Sequence, residues 1–143
     1  MEICLDLGRA AAERGETPVG ALVARGAELV AKAEEATRRL SDVTAHAEVL
    51  AIRQAALAVG SIDLEGCDLY TTVEPCVLCS YAIRRSGIAR VVYGAPAGTL
   101  GGVSSTHAIL VEPSISGFAA PPVITKNVRL GECLALLADG RRG

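Results

Sequence analysis

Pro75-Cys76-Val77-Leu78-Cys79, taken with His46-Ala47-Glu48 upstream, constrains this chain more than any other stretch. Two cysteines three positions apart share one face of a helix, about one turn from each other. In a first helical turn their thiolates gain from the helix dipole, and a proline there wastes no hydrogen bond. A neutral His46 completes a donor set carrying two negative charges, which suits Zn²⁺. Three protein ligands leave a fourth tetrahedral position open, the arrangement of a catalytic rather than a structural zinc. Any fold of this chain must therefore bring residue 46 against residues 76–79.

Glu48 gains a role from that set. Residues two apart on a helix do not face each other, so Glu48 need not compete with His46 for the metal. From a helix start it can lean over a water at the metal, take its proton and pass it to a leaving group. Taken alone, Glu48 reads as a favourable charge in a first helical turn. Beside His46 and the cysteine pair, the acid/base reading prevails. A zinc-stabilised binding module without catalysis is the rival of another class, and a purely structural site has no use for Glu48.

The rest of the chain reads as one α/β domain, residues 1–143, with a core that is mostly aliphatic because only three Tyr, one Phe and no Trp are present. A helix is expected over 1–14, then a hairpin of Val19–Ala24 and Leu29–Ala33 turning at Arg25-Gly26. Residues 34–43 read as an irregular charged loop. A helix follows over Ala45–Val59, with Thr44 or Asp42 as its cap. Strand Asp68–Val73, helix Cys76–Arg85 and strand Arg90–Tyr93 form a crossover unit with a parallel strand pair. The stretch Ala95–Pro122 is a long Gly-, Ser- and Pro-rich loop with a helical turn near Thr106–Leu110; loops of that length are usually functional. Strand Val123–Thr125, a final amphipathic helix from Leu130 and a frayed tail at 140–143 close the chain.

Five cysteines is an odd number, and the acidic N-terminus (Glu2, Asp6) does not resemble an export signal. Cys4, Cys67 and Cys133 sit among apolar neighbours and read as small buried hydrophobes. No apolar run reaches the length of a membrane span. A cytoplasmic, non-membrane protein is expected. The net charge of −2 gives no nucleic-acid footprint.

His46-x-Glu48 followed by Pro75-Cys76-x-x-Cys79 resembles the signature of the zinc-dependent cytidine deaminase-like superfamily. The flanks extend the likeness: Thr17-Pro18-Val19-Gly20-Ala21, Leu69 to Cys76, Val91 to Ala95, and Ile124-Thr125 through Glu132 to Leu137 are similar to bacterial guanine deaminases and tRNA adenosine deaminases. The resemblance covers nearly the whole chain. It implies a three-layer α/β/α fold on a five-stranded mixed sheet, with zinc on His46, Cys76 and Cys79. It also implies Glu48 as proton shuttle while activated water attacks an amidine carbon and ammonia leaves. By the same likeness, the backbone near Ala47 and Val19-Gly20 lines the base pocket, and a homodimer is expected.

Two departures bear on the substrate. Family members often carry an asparagine eleven residues before the zinc histidine, and here that position is Glu35. Asn both donates and accepts, whereas an ionised Glu only accepts, so Glu35 either favours a ring presenting N–H donors or is a solvated surface charge outside the pocket. After strand Arg90–Tyr93 the chain reads Gly94-Ala95-Pro96-Ala97, without the acidic residue usual in guanine- and tRNA-acting relatives, and the basic C-terminal extension of the tRNA enzymes is absent. Phe118 either stacks on a bound base or belongs to the core; stacking contributes about 1–3 kcal/mol per base in nucleic-acid binders. His107 reads as a loop or surface residue. The expectation is deamination of a small heterocyclic base (guanine, isoguanine, cytosine or a triazine-type analogue), with wobble-adenosine deamination in tRNA as the alternative and nucleic acid the less favoured partner.

Overall fold

In the computed structural model, residues 1–140 are described. Helices α1 (Glu2–Glu13) and α4 (Leu130–Gly140) cover one face of a single sheet, and α2 (Ala47–Val59) and α3 (Val77–Ser86) cover the other. The sheet contains β1 (Gly20–Arg25), β2 (Glu28–Glu34), β3 (Asp68–Val73), β4 (Arg90–Ala95) and β5 (Val123–Thr125), in the order β2-β1-β3-β4-β5. The first three strands pair antiparallel, and β3-β4 and β4-β5 pair parallel. The expected five-stranded mixed α/β architecture is what forms. No helix among the described residues is long and apolar enough to cross a membrane, and the tail at 141–143 lies outside the described residues.

Small residues set the layer spacing. Ala47, Ala51 and Ala55 recur every fourth position along α2, so its buried face has almost no side-chain depth and lies close on the sheet. On the opposite face, a Cβ at Gly20 would stand 2.2 Å from the Cys4 carbonyl oxygen, so α1 crosses β1 nearly backbone to backbone. Gly94 plays the same part on β4, where a Cβ would lie 2.2 Å from the Cys133 sulfur. Cys4, Cys67 and Cys133 are all fully buried, as their apolar neighbours suggested.

Two local expectations are corrected. Neither Asp42 nor Thr44 caps α2. Asp42 instead accepts the Thr44 amide and hydroxyl at 2.8 and 2.7 Å, and the first amide of α2, on Ala47, is taken by the Glu35 carboxylate from across the fold at 3.1 Å. The loop expected over 34–43 forms, running from 35 to 46 between β2 and α2, and it is held in place: both oxygens of buried Glu16 accept the Arg38 and Arg39 amides, and Leu40 bonds back to Ala36. The helical turn of the long loop lies at Gly98–Leu100 rather than near Thr106–Leu110. Propensity placed it wrongly because the Glu74 side chain gathers the amides on either side of Gly98–Leu100.

Candidate active site

His46 and Cys76 occupy equivalent places. Each is the residue just ahead of a helix, α2 for His46 and α3 for Cys76, with extended backbone and a side chain that does not cap its helix. Both side chains are thereby free to point outward, and the two positive helix ends converge between them. Cys79, one turn into α3, is fully buried. Its sulfur lies 3.7 Å from that of Cys76, and His46 Nδ1 lies 3.6 and 3.5 Å from the two sulfurs.

These separations are those of metal ligands. Tetrahedral zinc with bonds of about 2.3 Å to sulfur and 2.0–2.1 Å to nitrogen puts its sulfurs about 3.8 Å apart and sulfur and nitrogen about 3.6 Å apart. Among the described residues, His46, Cys76 and Cys79 are the one group of metal-binding side chains gathered this closely. The donor set fits Zn²⁺ in ligand type, number and spacing.

The protonation of the three donors, before any metal charge is counted, follows from their proximity. The Cys79 thiol and then His46 pull Cys76 down to about 4, while its Cys76 neighbour and burial push the Cys79 thiol strongly up. Hydrogen bonding to Cys76 raises His46 to about 9. The site thus holds a thiolate beside an imidazolium and a thiol, and taking up a divalent cation must expel protons.

Glu48 stands in the first turn of α2, 4% exposed. The Thr71 hydroxyl donates to its Oε1 at 3.1 Å, and its Oε2 lies 3.5 Å from the Cys79 sulfur. Burial pushes this carboxyl up to about 7, close to where an acid/base group works best at neutral pH. His46 and Glu48 share a cavity of about 440 Å³ with Val19, Glu35, Val73, Cys76 and Ala97, among others.

Of the residues expected at the substrate, Val19 lines this cavity and Glu35 joins it. Glu35 is 6% exposed, so it is no solvated surface charge; burial raises its pKa, while its bond to Ala47 anchors one oxygen. Ala47 is buried behind Glu35. Phe118 is a correction. It meets Tyr81 edge-on at 5.4 Å and lies under the Arg84 guanidinium at 5.1 Å, on α3 and outside the cavity lining. Buried Arg84 places it there by donating to the carbonyls of Ile109, Glu112 and Ala119 at 2.8, 2.8 and 3.0 Å. His107 is exposed, as expected.

Sequence reading passed over Thr71, Thr37, Val43 and Glu74. Only Glu74 carried a signal, a carboxylate immediately ahead of Pro75-Cys76 where an apolar strand ends. Buried Glu74 keeps its charge. Burial opposes ionisation, but the Ser104 hydroxyl and amide and the Ala97 and Val103 amides hold its carboxyl below the usual range.

The family model for the cytidine and deoxycytidylate deaminase zinc-binding region matches residues 1–95. The chain belongs to that family. Among known proteins, this deaminase is 42% identical over 116 residues to a tRNA-specific adenosine deaminase of Aquifex aeolicus, covering 81% of this chain and 77% of the relative. A solved structure from work on A-to-I editing by tRNA:A34 deaminases superposes with a TM-score of 0.89 at 37% identity, over 96% of this chain and 97% of the other. The guanine deaminase of Nitrosomonas europaea shares the fold, with a TM-score of 0.80 at 24% identity over 98% of this chain and 81% of the other. The deaminase is a hydrolase of C–N bonds, and its zinc site is the one His46, Cys76 and Cys79 can form.

Proposed function

We propose that this chain deaminates adenosine at the wobble position of tRNA, producing inosine. The observation that carries the reading is the two-way match, nearly end to end, to the A34-deaminase structure. The sequence relatives support the same substrate ahead of a free base. The cavity agrees with it: Val43, 84% exposed, stands on its lining, so the entrance is edged by an apolar side chain open to a larger partner. A base inside a polynucleotide reaches such a pocket only when swung out of its stack.

Bound to His46, Cys76 and Cys79, Zn²⁺ supplies the Lewis acid that makes water nucleophilic near neutral pH. Glu48 takes a proton from that water and delivers it to the exocyclic nitrogen. The ring carbon gains oxygen and its bond to the exocyclic nitrogen breaks; ammonia leaves with one proton of the water, and the other stays on the ring nitrogen of the product. Thr71 fixes the Glu48 carboxylate from behind. Val19 and the Ala97 segment wall the ring.

A small free base is the second reading, favoured by Glu35. A buried carboxylate with one oxygen tied to Ala47 accepts an N–H from a ring, which guanine offers at N1 and the ring of adenosine, substituted at N9, does not. The test is inosine formation in an anticodon stem-loop set beside ammonia release from free purines, pyrimidines and triazines. Activity on the stem-loop and none on free bases supports the first reading; the reverse replaces it with the second.

We further infer one domain acting as a homodimer in a reducing, cytoplasmic setting that suits the free thiols. An apolar groove between α2 and α3, with Leu57 77% and Ile62 72% exposed beside Ile52 and Tyr81, supports association of two copies.

A further inference from the structure

The segment from Ala97 to Ser104 wraps a single side chain. Glu74 is 1% exposed, and its two oxygens accept four hydrogen bonds. Oε1 takes the amides of Val103 and Ser104 at 2.9 and 2.7 Å; Oε2 takes the Ala97 amide at 3.1 Å and the Ser104 hydroxyl at 2.7 Å. The chain closes so tightly over it that a Cβ at Gly101 would lie 2.3 Å from Oε1. Four donors converge on one carboxylate, as main-chain amides do around a bound anion.

The same residue is tied to both halves of the active site. Its amide donates to the Ala95 carbonyl at 2.7 Å, and Pro75 and the ligand Cys76 follow it directly. Gly102 donates to the Pro75 carbonyl at 2.8 Å, and Cys76 bridges to Gly101. Ala97, at one end of the wrapped segment, lines the cavity with Glu74 itself. Cys76 and the Ala97 wall are therefore parts of one rigid unit whose centre is the Glu74 carboxylate.

We propose that Glu74 is a positioning residue for deamination, holding the Ala97 wall of the cavity in fixed register with the Cys76 ligand. The assignment rests on this cavity being where the substrate is turned over. Gln at this place keeps the volume but presents an NH₂ to groups that are themselves donors, so some of the four bonds must break.

Glu74→Gln, with zinc bound, is compared with the unaltered chain on whichever stem-loop or free base that chain deaminates. The proposal expects KM to rise about tenfold while kcat falls less than about threefold, the pattern of lost ground-state positioning. Zinc stays at one per chain. Hydrogen exchange at Ala97, Val103 and Ser104 quickens by about tenfold or more, with α2 amides unchanged. A merely structural role would instead shrink the active fraction, lowering apparent kcat at fixed KM. An unchanged KM, or loss of activity in step with loss of zinc, overturns the assignment. Should Glu74→Gln not fold, Ser104→Ala removes one bond alone and is expected to raise KM roughly two- to fourfold with the same exchange pattern; an unaltered KM there is equally decisive against it. Failure of the functional reading shows in the substrate of the unaltered chain, whereas failure of the Glu74 assignment shows in the ratio of variant to unaltered chain.

Discussion

Glu48 is the residue on which the chemistry and the energetics meet. Its carboxyl is buried, pushed up to about 7, and held by Thr71 beside the metal-binding sulfurs. Removing its charge with Glu48→Gln is expected to lower turnover by roughly 10²–10⁴-fold, the range for general acid–base groups, with zinc content unchanged by elemental analysis. The same substitution has an opposite effect on stability once metal is stripped. Between the ordinary carboxyl pKa of 4.5 and about 7 the folded chain holds a proton that the unfolded chain releases, so stability falls as pH rises through that window. Metal-free Glu48→Gln escapes this loss. Its advantage over the unaltered protein in denaturant melts is expected to grow between pH 5 and pH 8, by up to about 3 kcal/mol. An advantage that stays flat with pH would show that burial does not hold Glu48 protonated.

At the scale of elements, function depends on how closely helices approach the sheet. Gly20→Ala would drive a methyl into the Cys4 carbonyl, and backbone cannot rotate away as a side chain can. The expected cost is about 1–3 kcal/mol, read as a fall in Tm of roughly 3–12 °C, and an unchanged Tm would contradict the close crossing of α1 over β1. The elements were largely legible beforehand, because Pro18, Gly60 and Gly87 punctuate the chain and short runs of mostly apolar or β-branched residues mark β1 and β3. So was the metal set, because the cysteine pair fixes a helix face by spacing alone. Phe118 was not legible. Its place follows from Arg84, whose bonds run to carbonyls 25 to 35 residues away and leave no trace in local pattern. Phe118→Leu is accordingly expected to leave KM within about twofold of the unaltered value, since Phe118 packs on α3; a large KM change would return it to the substrate. Glu35 was readable as an anomaly of type, and only the fold shows it turned inward to Ala47.

At the scale of the whole molecule, the chain is a zinc hydrolase whose cavity is built where α2 and α3 begin. Association of two copies through the α2–α3 groove predicts a dimer in sedimentation equilibrium and a monomer for Leu57→Glu; a monomeric unaltered chain would leave that groove without its expected occupant. The net charge of −2 does not discriminate between substrate classes, because a total over the chain says nothing of how charge lies around a single opening. The central claim is that three side chains hold one catalytic zinc served by Glu48. Its most direct test is ammonia release from the deaminated substrate as Zn²⁺ is titrated into metal-stripped protein. Activity should rise from baseline and break at one equivalent per chain, while Glu48→Gln takes up the same equivalent and stays inactive. Turnover without zinc, a break at another stoichiometry, or an active Glu48→Gln would contradict it.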